Sequence, residues 1–150
     1  MRQAVQAVLD DKAGTDELIT VDAGALVVEA VAVMADRHVG AVLVRNEDGL
    51  VDGIFTERDL LTRVVHAGRD PKTTPISMVM TREVRFVSPA TPVEAALALM
   101  HVNRHRHLLV IDGPRVYGLL SMRDLTYHLI RHGEGRLEAE IRSAGSGAAG

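Results

Sequence analysis

The sequence predicts an α/β fold made of two tandem copies of a β-α-β-β-α unit. Three observations predict it. The stretch "LVVEAVAVMADRHVGAVLVRN" (26–46) lies over "PVEAALALMHVNRHRHLLVID" (92–112) at an offset of 66, so Met34 meets Met100 and the apolar run 42–44 meets 108–110. The heptapeptide "GIFTERD" (53–59) returns as "GLLSMRD" (118–124). Strand and helix signals alternate in the same order within each copy. An internal repeat of this kind sets the architecture before any single element is placed.

Each element follows from its local pattern. A short strand near 18–21 (84–87 in the second copy) precedes a helix over 25–37 (91–103). A strand at 41–45 (107–111) comes next, and its continuous apolar run is that of a strand covered on both faces. A polar turn at Asn46–Gly49 (Asp112–Arg115) leads into a strand at 50–55 (116–120) and then a helix at 57–67 (122–131). The offset drops from 66 to 65 across this turn, where a one-residue change is easily absorbed. Pro92 suits a first helical turn, and Gly68 and Gly133 suit helix stops. The expected organisation is an N-terminal segment 1–13, repeat one at 14–67, a proline-containing linker at 68–79, repeat two at 80–132 and a flexible tail at 133–150.

Composition narrows the function. The 150 residues have an apolar fraction of 47%, a charged fraction of 25% and a net charge of −3, as an ordinary soluble protein does. That charge gives no general pull toward nucleic acid or an acidic membrane, and two Tyr, two Phe and no Trp offer no stacking platform for single strands. The absence of Cys excludes disulfides, thiolate nucleophiles and cysteine-based zinc sites. No run approaches the roughly 18–20 apolar residues that span a bilayer. Asp10 and Asp11 interrupt any signal-peptide core, so a cytoplasmic location is expected.

The helices "ALVVEAVAVMA" and "PVEAALALMHV" are apolar nearly all the way round, with one Glu each. A sheet covers one face of such a helix, and the other needs a partner. A homodimer through these helices is the simplest expectation, the alternative being that the two helices cover each other within one chain.

The repeated heptapeptide admits two readings. Thr56-x-x-Asp59 and Ser121-x-x-Asp124 match a capping box, which a helix start alone explains. Each also ends a strand, opens a helix and has Gly three residues before the hydroxyl. Such a corner presents backbone N–H groups and the positive end of a helix, and an Asp there can accept two hydrogen bonds from a ribose diol. Capping gives no reason for the shared Gly.

With these motifs in register, residues 14–131 resemble a tandem pair of CBS domains, the Bateman module, and "GIFTERDLL" with "GRDPKTTPISMVMT" resembles its stand-alone bacterial members. The resemblance implies two repeats packed with pseudo-twofold symmetry, binding AMP, ADP or ATP between them and signalling to a protein target whose identity is open. It implies one site from Thr56 and Asp59 with Arg85, His105, Arg106 and His107. A second site would join Ser121 and Asp124 to Ile19, Val39, Gly40 and Ala41. Arg58 and Arg123 are further candidates for phosphate contact. The basic residues of the first site predict tighter, phosphate-dependent binding there. One departure stands out, because Leu43 and Leu109 occupy positions where many members carry Pro.

Other chemistries find less support. His101 and His105, and His128 and His132, are spaced four apart, but neither pair brings a third ligand or the glutamate of H-E-x-x-H, so no metal is expected. No G-x-S-x-G elbow, Walker loop or dinucleotide fingerprint is present, and Ser121 has no evident base, so no catalytic residue and no required cofactor are expected. The rival readings are an interaction scaffold with vestigial sites and a His-dependent metalloenzyme.

Overall fold

The computed structural model describes residues 3–12, 18–132 and 143–144. The helix stop expected at Gly133 and the tail, apart from 143–144, lie outside these residues. The chain divides into two units: Glu17–Val84, and Arg85–Gly150 together with Met1–Asp16. The order is α1 (Val5–Asp11), β1 (Thr20–Asp22), α2 (Val27–Arg37), β2 (Ala41–Arg45), β3 (Val51–Thr56), α3 (Glu57–Asp59), β4 (Phe86–Val87), α4 (Val93–Asn103), β5 (His107–Asp112), β6 (Arg115–Ser121) and α5 (Met122–His132). Among the described residues, no helix is long and apolar enough to cross a membrane.

The first unit holds a three-stranded sheet in the order β1-β2-β3, with β1 parallel and β3 antiparallel to β2. Residues 41–44 of the central strand are all buried, as their unbroken apolar run requires. Asn46 Oδ1 accepts the N–H groups of Asp48 and Leu50, both at 3.0 Å, and Gly49 takes φ +78°, which builds the polar turn. Val27, Ala30 and Met34 give α2 its buried stripe. That helix ends at His38 in a left-handed conformation, with the Val39 N–H returning to the Met34 carbonyl. The matching turn of α4 ends at Arg104 in the same conformation, with the His105 N–H on the Met100 carbonyl.

The helix expected at 57–67 is α-helical only through Asp59, and Leu60–Val65 form a π-helix. Thr62 Oγ1 donates to the Arg58 carbonyl at 2.8 Å, and the following turn is widened, with the His66 N–H on the Leu61 carbonyl at 2.9 Å. The stretch 68–79, expected as a linker, supplies Ile76 and Val79 to the first core, where they pack with Val27, Val42, Phe55 and Val64.

The second unit repeats the sheet as β4-β5-β6. Here the core includes α1, whose Val5 and Val8 pack with Val93, Met100, Leu108, Leu120 and Leu125. Backbone bonds dock it: the Val5 N–H on Thr91, the Gln6 N–H on Pro89, and the Val93 N–H on Gln3, at 2.8, 3.1 and 2.9 Å. Asp11 at the end of α1 meets two histidines of α5. The hydrogen bond from His128, with those from His132 and the charge of both rings, outweighs burial and holds the Asp11 carboxyl below its ordinary range.

These docked segments explain the shared glycine of the heptapeptide. A Cβ on Gly53 would lie 2.7 Å from the Thr81 carbonyl oxygen and 3.0 Å from Met80 Sδ, and one on Gly118 would lie 2.9 Å from Leu9 Cδ2. Thr81 is fixed there by its bridge to Ile54, with N–H···O bonds of 2.9 and 2.8 Å in both directions. Each glycine therefore admits a neighbouring segment onto the strand that carries it.

Gly53→Ala is expected to cost about 1–3 kcal/mol of unfolding free energy, because backbone atoms rather than a flexible side chain must give way. Gly118→Ala should cost less, since Leu9 can change rotamer, and Gly24→Ala, with nothing within 4 Å, should be close to neutral. Denaturant titration of the three variants checks that order.

Candidate functional site

In each unit one end of the sheet gathers the predicted residues. In the first, β3 delivers Thr56 in an extended conformation (φ −116°, ψ 165°) directly into α3. Asp59 Oδ2 accepts the Thr56 N–H at 3.0 Å and the Thr56 hydroxyl at 3.1 Å, while the Asp59 N–H donates to Thr56 Oγ1 at 3.2 Å. The capping box is thus complete. Asp59 Oδ1 accepts from Thr81 Oγ1 at 3.0 Å and faces Arg63 Nε at 3.6 Å. Only 6% of Asp59 is exposed, so its carboxylate is enclosed by its own unit.

Register places the start of β2 beside this corner, with Ala41 opposite Thr56. The Gly40 carbonyl accepts the Glu57 N–H at 3.0 Å, and a Cβ at Gly40 would sit 3.3 Å from the Glu57 carboxylate. The Val39–Ala41 run is therefore bordered by a negative charge. Ile19 directs its carbonyl to the Leu43 N–H at 3.0 Å.

The second unit builds the same corner with different chemistry. Asp124 Oδ2 accepts the Ser121 N–H at 2.8 Å, and the Asp124 N–H donates to Ser121 Oγ at 3.0 Å. Lys12, just beyond α1, donates to the same Oδ2 at 2.9 Å and to the Leu119 carbonyl at 3.1 Å. The Asp124 side chain keeps 23% exposure. His107 lies opposite Ser121, and the Arg106 carbonyl accepts the Met122 N–H at 2.7 Å, so Arg106 and Met122 stand where the first unit has Gly40 and Glu57. His105 and Arg106 are exposed, as are Arg58 and Arg123. Arg85 precedes β4 and receives the Leu109 N–H on its carbonyl at 2.9 Å.

Thr56, Asp59, Ile19, Val39, Gly40 and Ala41 thus belong to one unit, and Arg85, His105, Arg106, His107, Ser121 and Asp124 to the other. The departure at Leu43 and Leu109 has a local consequence: each donates an N–H that a proline lacks, extending the parallel pairing by one bond.

Four neighbours escaped sequence reasoning. Glu57 differs visibly between "TERD" and "SMRD", and that inequality was the available signal. Thr81 and Lys12 reach the acids through tertiary packing, whereas Arg63 faces Asp59 from four residues along the same helical segment. The expectation that no third ligand accompanies His128 and His132 is also corrected, because docking of α1 brings Asp11 to both rings.

A family model for the CBS domain matches residues 12–66 and again 76–131. The chain is 37% identical over 112 residues to the CBS domain-containing protein CBSCBSPB2 of Arabidopsis thaliana, covering 75% of this chain and 21% of that protein. It thus spans about a fifth of the length of the Arabidopsis relatives of this type. A protein with CBS domains from Burkholderia ambifaria superposes with a TM-score of 0.81 at 33% identity, over 88% of this chain and 97% of that one. A hexameric CBS-CP12 protein from bloom-forming cyanobacteria gives a TM-score of 0.73 at 26% identity, over 99% and 86%.

The two acids should respond differently to loss of their partners. Thr81→Val deletes the hydroxyl that serves the buried Asp59 and is expected to cost about 1–3 kcal/mol. Lys12→Met removes a partly exposed ion pair and should cost less than about 1 kcal/mol. Equal effects in denaturant titration would contradict the enclosure of Asp59.

Proposed function

The chain belongs to the CBS domain family, with two CBS domains in tandem, and on that premise we propose that it is a regulatory module that binds an adenine nucleotide and signals its presence to a protein target. The observation that supports this most is the duplicated corner, in which a strand hands a hydroxyl and an acid to a helix with the same hydrogen bonds in both units. Asp124, in place of the Asp59 expected for the tighter site, is the better placed acid for a ribose diol. It retains exposure and receives its two bonds on one oxygen, whereas both oxygens of Asp59 are occupied.

Phosphate selectivity would rest on Arg85, Arg106 and His107, through charge-assisted hydrogen bonds. The Val39–Ala41 run, with the Glu57 carboxylate against Gly40, disfavours a phosphate at that end of the first sheet. A bound nucleotide shifts the module between states only by its difference in affinity for them.

Self-association through the apolar helices belongs to the same proposal. Leu99 and Val102 of α4 are 41% and 76% exposed, and Val28 of α2 is 40% exposed, so each helix carries apolar side chains on its open face. The hexameric cyanobacterial relative supports assembly as a property this architecture can have. Light scattering on the purified chain is expected to give a dimer, and Val102→Glu a monomer. A monomeric parent chain would overturn this part.

Binding is tested by thermal melting with AMP, ADP, ATP and adenosine. A nucleotide at 100 times its dissociation constant should add about 2.7 kcal/mol of stability. Asp124→Ala should abolish the shift, and Arg106→Ala should remove the preference for nucleotide over adenosine. Loss of binding in Asp59→Ala alone would reverse the assignment of the acid. No shift with any of the four would favour the scaffold reading.

A further inference from the structure

Outside the two corners, the second unit contains a cluster that neither structural need nor nucleotide binding uses up. His128 and His132 stand one turn apart on α5, and their rings lie 4.6 Å centroid to centroid. Asp11 Oδ2 is 2.6 Å from His128 Nδ1 and 2.8 Å from His132 Nε2. The three donor atoms all lie within 4.8 Å of one another. We propose that Asp11, His128 and His132 form a binding site for a late first-row divalent cation, Zn²⁺ foremost, which fastens α1 to α5.

The hydrogen-bond inventory of His128 argues for a cation there. A neutral imidazole offers one N–H and one lone pair. His128 is only 3% exposed, yet both of its ring nitrogens face oxygen: Nδ1 faces Asp11 Oδ2, and Nε2 faces Gln3 Oε1. Serving both oxygens by hydrogen bonds takes a proton on each ring nitrogen, one more than a neutral imidazole carries. With Nε2–H donated to Gln3, a metal ion held by Nδ1 and Asp11 Oδ2 takes the place of that extra proton. Gln3 then plays the outer role common for metal-bound histidines, an oxygen that accepts the second ring N–H and fixes the tautomer.

The donor set selects the ion. Two imidazoles and a carboxylate suit zinc and its neighbours rather than Mg²⁺ or Ca²⁺, which prefer oxygen alone. Three protein ligands leave a fourth position for water. Asp11 and His132 are on the solvent side of the cluster, which gives an ion a way in, while His128 anchors its inner wall. The first of these ligands lies on α1 and the others more than a hundred residues along the chain on α5, so the ion would close a long loop within one unit.

The test uses the full chain stripped with chelator and titrated with Zn²⁺ by calorimetry, with melting followed in parallel. One ion per chain and a raised melting temperature are expected. Co²⁺ in place of Zn²⁺ should give the visible absorption of a low-coordinate N/O site. Asp11→Asn and His132→Ala, both on the exposed side and so compatible with folding, should lose that spectrum. Gln3→Ala should weaken affinity roughly 10–100-fold while keeping the stoichiometry. Absence of binding, with His128 held instead by a shared proton, overturns the proposal. So does Zn²⁺ bound equally by the parent chain, Asp11→Asn and His132→Ala.

Discussion

The reciprocal hydrogen bonds between a strand-ending hydroxyl residue and the acid three positions on fix the geometry on which both units depend. Thr56 with Asp59 and Ser121 with Asp124 turn the last strand of each sheet into the next helix at a set angle. That turn places the first helical N–H on a carbonyl at the start of the central strand, Gly40 in one unit and Arg106 in the other. Strand, helix and neighbouring strand entry are thereby joined at one point.

The same frame carries unequal chemistry. In the first unit the acid is sealed by Thr81 and Arg63, and Glu57 lies against Gly40. In the second the acid stays half-buried beside Lys12, and Arg106 replaces the glycine. Duplication preserved the backbone corner while its charged surroundings diverged. One corner now encloses its acid, and the other leaves its acid partly open to solvent.

Much of the fold was legible because it is periodic. The apolar run of β2 located that strand to the residue, and the repeat carried the same reading to β5. The buried stripes of α2 and α4 occupy matching positions, Val27, Ala30 and Met34 against Val93, Ala96 and Met100. What escaped has no local period. Thr81 reaches Asp59 from 22 residues away, and Lys12 reaches Asp124 from 112. The glycines of the heptapeptide suggested a ligand when read locally, yet each lies where a segment docked from elsewhere in its unit approaches the strand. The Asp11–His128–His132 cluster was half visible as the i, i+4 histidines of α5, and its third member became apparent only with the docking of α1.

The central claim is that an adenine nucleotide is held through its ribose by the exposed acid of the second corner. Native mass spectrometry of the chain as it emerges from the cell tests this most directly. The account predicts an adenine-containing mass retained by the parent chain and absent from Asp124→Asn. A chain that carries no such mass, and takes up none when ATP is added before ionisation, would contradict it.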